Sequence, residues 1–198
     1  MEEGRISRNK QLKLTKLYDA AYELFGSKGI HNTVIDDIVK KAGVAKGTFY
    51  LYFKDKHDLR NRLILKKSSA VIAEALHATE GKRKSENLSY QDEVIAFIDY
   101  LIEYFKKDNK FLSIIYKNLS WGLYKEIYKD TEMGDAVKRF IHHFESSHGD
   151  TESAQKKLYI IVEMVGGVCY NSIILGSPYQ IDEIKPEIYQ VIKKILID

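Results

Sequence analysis

The chain has 198 residues, 44% of them apolar and 30% charged, enough apolar material for one sizeable domain or for a small domain joined to a larger one. Its single cysteine, Cys169, excludes an internal disulfide. With no basic and apolar leader, and no apolar run read as long enough to span a bilayer, the expected compartment is the reducing cytoplasm and no membrane partner is expected. A net charge of only +3 does not by itself call for nucleic acid, but Met1 to Arg60 hold 12 Lys/Arg against 8 Asp/Glu, so the positive excess is N-terminal.

Both prolines, Pro178 and Pro186, lie near the end, which leaves the rest of the chain free to be helical. From Lys10 to Gly29, Leu14, Leu17, Tyr18, Ala21, Leu24 and Phe25 recur at spacings of three and four, the stripe of a first helix that Gly29 can end. Thr33 with Asp36 reads as a reciprocal cap opening a second helix, whose Ile35, Ile38, Val39 and Ala42 face inward and which stops at Gly43. A third, very short helix runs from about Ala45 to Phe53. Asp55 with Asp58 starts a fourth, which is expected to end near Thr79 with a polar loop from Glu80 to Ser89.

A fifth helix carries Val94, Phe97, Ile98, Leu101, Ile102 and Phe105 and breaks at Asp108 and Asn109. A sixth extends from Lys110 to about Ser120, and one or two more end near Phe144. A long helix then carries Leu158, Ile161, Val162, Val165 and Val168 as far as Leu175. The last helix fills Asp182 to Ile197, with Pro186 read as falling in its first turn. No strand pattern or repeat occurs, so the fold is expected to be all-α.

The chemistry concentrates between Thr33 and Leu59, TVIDDIVKKAGVAKGTFYLYFKDKHDL. Two short helices joined by a glycine-containing turn, Gly43-Val44, form the helix-turn-helix arrangement, whose second helix enters the DNA major groove. On that second helix Phe49 and Phe53 share a face with Ala45 and can pack inward. Tyr50, Leu51 and Tyr52 then point elsewhere, beside Lys46, Gly47 and Thr48, and present hydroxyl and ammonium donors suited to phosphates and base edges.

These residues resemble the signature of the TetR family of bacterial repressors. The match consists of a threonine opening the second helix (Thr33), the core Ala42 to Phe53 (AGVAKGTFYLYF), then Lys56 and Leu59. The resemblance covers the first third of the chain. It implies about nine helices: a three-helix DNA-binding domain, 1–56, and a helical effector-binding and dimerisation domain, 57–198. It implies that Thr33, Tyr52 and Lys56 hold phosphates and that Lys46, Gly47, Thr48 and Tyr50 approach the bases, with Leu51 placed for van der Waals contact with a thymine methyl. Arg5, Arg8 and Lys10, ahead of the first helix, are placed to form an arm toward the minor groove or backbone.

In the middle third, Phe97, Tyr100, Tyr104 and Phe111 are followed by Tyr116, Asn118, Trp121 and Tyr128. On the helices that line the family's effector cavity, this group suggests a small apolar or aromatic ligand, with Asn118 and Ser120 as polar anchors. The last two helices carry Val162, Val165, Cys169, Ile188, Val191 and Ile195 as an apolar stripe suited to a homodimer, with Gly166 and Gly167 permitting close approach. His142, His143 and His148 lack the spacing of a metal site, and no cofactor is expected. After a DNA-binding repressor the runner-up is a helical adaptor or architectural protein; no nucleophile with its base, phosphate-cradling loop or paired-carboxylate site is recognisable, so a small helical enzyme ranks third.

Overall fold

The computed structural model describes residues 2–116, 118, 135, 138, 142 and 151–197, with side chains from residue 8 to residue 196. Among the described residues there are eight helices and no strand, the all-α architecture expected. The chain divides into two compact units, Met1–Lys66 and Lys67–Asp198. The division falls inside a helix, later than the boundary at residue 56 read from the sequence.

In the first unit, α1 (Glu2–Lys28) is longer than its apolar stripe, so Arg5, Arg8 and Lys10 lie on helix and not on a free arm. Its face with Leu17, Ala20, Ala21 and Phe25 is buried together with Ile38 and Val39 of α2 (Ile35–Ala42) and Phe49 of α3 (Lys46–Tyr52). Gly43 closes α2 at φ 65°, ψ 38°, a left-handed conformation that a Cβ disfavours by ~1–2 kcal/mol. The Gly43 and Val44 amides donate to the carbonyls of Lys40 and Val39, a Schellman closure that fixes the direction in which the chain enters α3.

α4 (Lys56–Glu86) opens on a cap the sequence announces. Asp55 Oδ1 accepts from the His57 and Asp58 amides at 2.7 and 2.8 Å, and Asp58 Oδ2 accepts from the Lys54 amide at 3.0 Å. Leu59, Leu63 and Ile64 are buried, and Lys66 sits over the Tyr18 ring at 5.0 Å, so the first turns of α4 belong to the first unit. The loop expected from Glu80 is helical as far as Glu86. Its Glu and Lys residues are good helix formers that extend an existing helix at little cost, a Lys84–Glu80 pair at 2.8 Å assists, and Asn87 at φ 50° ends it.

The second unit continues with α5 (Tyr90–Lys107), capped by the Ser89 hydroxyl on the Asp92 amide, and α6 (Asn109–Tyr116). α7 (Thr151–Cys169) follows and passes into a π-helical segment, Tyr170–Leu175, and then α8 (Ile181–Ile197). Ile98 and Ile102 of α5, Leu112 of α6, Ile161, Val165 and Cys169 of α7, and Ile188 and Ile192 of α8 form one core. Burial pushes the Cys169 thiol up to about 12, as befits a core residue and not a reactive one. Pro186 falls in the second turn of α8, beyond the amides that lack helical partners, so α8 forgoes one backbone bond that the sequence reading counted as free.

The stretch Thr151–Leu175 has a mean hydropathy of 1.7 in its most apolar window and is, by length and composition, long enough to cross a bilayer. This corrects the reading that no such run exists: scattered polar residues hide it from a search for an unbroken apolar run. Its inner face is the core just described, while only 28% of the window is buried in the unit.

Candidate nucleic-acid interface

Phe49 and Phe53 anchor α3 from inside. Phe53 meets Tyr18 edge to face at 5.5 Å, and Arg62 lies over the Phe53 ring at 5.7 Å. Ala45, expected on the same inward face, is instead the exposed N-cap of α3. With the helix held this way, Leu51 is 80% and Tyr50 53% exposed, large apolar side chains that their own unit cannot bury. Gly47 stands beside them, and a Cβ built there would meet nothing within 4 Å. Lys46 completes the outer face and pairs with Asp36 at 2.7 Å, which raises the lysine's pKa. Both partners are exposed, so the pair yields readily to a competing phosphate. Thr48 is half-buried at the edge of the same face.

Three residues that the family resemblance puts on phosphates have other work here. Thr33 has no exposed surface, and its hydroxyl donates to the Gly29 carbonyl at 2.8 Å. It ties down the end of α1, while the N-cap of α2 is Val34, without a side-chain bond, so the Thr33–Asp36 capping pair does not form. Asp37 takes up Lys28 and Asp36 takes up Lys46. The Tyr52 hydroxyl donates to the Lys10 carbonyl at 3.0 Å, joining α3 to α1. The Lys56 ammonium donates to the carbonyls of Ile30, His31 and Thr33 at 2.9, 3.2 and 3.0 Å, which uses all three of its protons.

The other candidate sites divide. In the second unit Tyr104, Phe105 and Phe111 meet ring to ring, with Tyr104–Phe111 centroids 6.4 Å apart. Phe111 is wholly buried, a core residue and not an open wall. The Tyr104 hydroxyl donates to Asp108, and burial with that neighbouring carboxylate pushes the phenol up to about 12. Tyr100 donates to Glu74, and Phe97 packs against the core. Tyr116 lies apart from this group, stacked on Tyr170 at 4.5 Å, and Asn118 donates to the Ile114 carbonyl. Trp121, Ser120, Tyr128, His143 and His148 lie outside the described residues, and His142 is exposed.

Of the residues read as a dimer face, Val165, Cys169 and Ile188 are buried in the unit's own core and offer no side chain to a partner. Cβ positions at Gly166 and Gly167 point to Tyr116, at 3.8 and 3.7 Å, so the close approach they permit is made within the unit. Val162 and Ile195 are half-buried, and Val191 is exposed. Sequence reasoning passed over the outer face of α1 at Asn9, Leu12, Lys13 and Lys16. Their spacing of three and four, away from the apolar stripe, was the available signal.

A three-helix unit with a Schellman-closed turn and an outward aromatic face on its second short helix is a helix-turn-helix of the kind that DNA-binding regulators carry. The family described as bacterial regulatory proteins, tetR family, matches residues 17–63. The fatty acid metabolism regulator protein of Bacillus subtilis is 40% identical over 65 residues, 33% of this chain and 34% of that one, so the match spans about a third of the relative's length. Among solved structures, the fatty acid degradation regulator FadR of Bacillus halodurans aligns with a TM-score of 0.64 at 19% identity, over 91% of this chain and 94% of that one. FadR of Bacillus subtilis in complex with stearoyl-CoA aligns at 0.63 and 19%, over 90% and 96%. Residues 17–63 thus resemble the helix-turn-helix segment of tetR-family transcriptional regulators, and the likeness of the rest of the chain to solved structures is one of fold.

Proposed function

We propose that this protein is a transcriptional repressor that binds a palindromic operator as a homodimer in the cytoplasm and is released by a small, largely apolar effector. The observation that carries the DNA reading is the exposed Tyr50–Leu51 pair on a helix fixed from inside by Phe49 and Phe53. In the major groove Lys46 and Tyr50 supply donors, Leu51 a methyl contact, and Gly47 room for close approach. Tyr50→Ala is expected to weaken operator binding by ~1–3 kcal/mol in a gel shift while thermal unfolding stays nearly unchanged. Operator affinity equal to wild type would remove this face from DNA recognition.

Dimerisation is supported by the uncovered apolar surface of the last two helices. Ile160 and Tyr159 on α7, Leu175 after it and Val191 on α8 are exposed in the single chain. A dimer also meets the geometric need to set two reading helices ~34 Å apart, one helical turn of DNA. Ile160→Asp with Val191→Asp is expected to give monomers in sedimentation with helical content retained. Dimers in that variant, or a monomeric wild type, would refute the face.

The effector site is proposed among α4 to α6 and the segment beyond, with Phe97, Tyr100, Tyr104, Tyr116, Asn118, Trp121 and Tyr128 as its candidates and Phe111 as support behind them. The stearoyl-CoA bound by a structural neighbour makes a long-chain acyl-CoA the first ligand to add to the gel shift. Coupling between effector and DNA is typically worth ~1–3 kcal/mol.

A further inference from the structure

Resting on the DNA reading above, we infer that the outer face of α1 forms with the helix-turn-helix turn a second, sequence-independent DNA site, which seats the sugar–phosphate strand flanking the major groove. A groove of about 330 Å³ runs between the two elements. Asn9, Leu12, Lys13 and Lys16 form one wall, and Gly43 to Ala45 with Thr48 the other. The α1 residues follow one another at i, i+3, i+4 and i+7, so helical geometry alone lines them up.

The groove's chemistry matches a nucleic-acid backbone. Lys13 and Lys16 are exposed, no carboxylate among the described residues pairs with either, and no acidic residue lines the groove. Asn9 adds an amide donor. Leu12 is 54% exposed and faces Val44 and Ala45 across the groove, apolar surface for the carbon face of deoxyribose beside cations for the phosphates. Thr48 belongs both to this groove and to the reading helix, so a duplex read by α3 carries its flanking strand to the lysines. The occupant is therefore a DNA strand continuous with the one being read.

The test uses the full-length chain with a duplex that the wild-type protein selects from random-sequence DNA, and with a scrambled duplex of equal length. Lys13→Gln/Lys16→Gln is expected to weaken binding to both duplexes alike. The slope of log affinity against log salt should become shallower by ~0.9 for each phosphate that the variant no longer neutralises, with the ratio between the duplexes unchanged. Lys40→Gln/Lys41→Gln removes the same charge from exposed positions of the same unit outside the groove, and should change the slope less. The groove assignment is overturned if the α1 variant keeps wild-type affinity and slope while Tyr50→Ala weakens binding, or if the two double variants behave alike. If wild-type protein selects no duplex, the DNA reading itself fails and this site with it. Circular dichroism of each variant confirms that the helices are intact.

Discussion

Lys56→Met is expected to destabilise the N-terminal unit by about 2–4 kcal/mol, with no change in the salt slope of DNA binding by the folded protein. The six residues between α1 and α2 turn three carbonyls toward one point, and the Lys56 ammonium supplies one proton to each. Methionine keeps the aliphatic stem and removes all three donors, leaving the Ile30 carbonyl with only the Thr33 amide, the part-buried Thr33 carbonyl without this donor and the exposed His31 carbonyl to water. Arginine does not substitute, because a planar fork cannot address three converging acceptors as an ammonium does. Urea unfolding gives the stability, and a salt titration of operator affinity separates this role from the phosphate contact that the family resemblance implies. A stable variant with a slope shallower by ~0.9 would restore the phosphate role.

The second large effect is expected at Lys185, whose ammonium lies 2.6 Å from both Asp99 and Glu103 and is only 18% exposed. Tyr189 donates to the same Asp99, and Lys106 bridges Glu103 to Asp182, so α5 and α8 are joined by a chain of charges over their shared core. Lys185→Met leaves two facing carboxylates, each about a third exposed or more. Solvent screening therefore holds the expected loss to about 2–3 kcal/mol, below that of a fully buried pair.

The pH dependence follows from the same contacts. Burial would raise the Asp99 pKa, but hydrogen bonds from Lys185 and Tyr189 lower it on balance, and the Lys185 hydrogen bond lowers that of Glu103. Their contribution is present above the ordinary carboxylate pKa of ~4 and is lost as pH falls through the lowered values. Burial would lower the Lys185 pKa, but its bonds to the two carboxylates raise it, so its contribution is complete below ~10.4 and is lost as pH rises through the raised value. Wild-type stability should thus form a plateau between about pH 5 and 10, and Lys185→Met should be lower on the plateau with a flatter acid limb. Identical urea midpoints for the two proteins across this range would show that the network carries no stability.

The helix-turn-helix was legible because its signals are local: Gly43 must take a left-handed conformation, and Phe49 and Phe53 share a helical face. The fates of Thr33, Tyr52 and Lys56 were not. A sequence shows that a side chain can donate, but the acceptors are carbonyls as far as 42 residues away, whose positions exist only after folding. The end of α4 was misread because polar residues at 80–86 have no apolar period, although they continue a helix as readily as they form a loop. The stripe on α7 and α8 showed which residues are apolar without telling which face the core takes first. Val165, Cys169 and Ile188 went inside, leaving the outer surface to Ile160 and Val191.

Gly47 costs α3 roughly 1 kcal/mol relative to alanine, and nothing in the fold requires it: its backbone is ordinary helix and the space around it is open. A selection for thermal tolerance alone would replace it early. On the DNA reading proposed above, its presence answers a demand from outside the molecule, a partner surface passing where a methyl group would stand, and it marks one place where making this chain sturdier and keeping it useful are opposed aims.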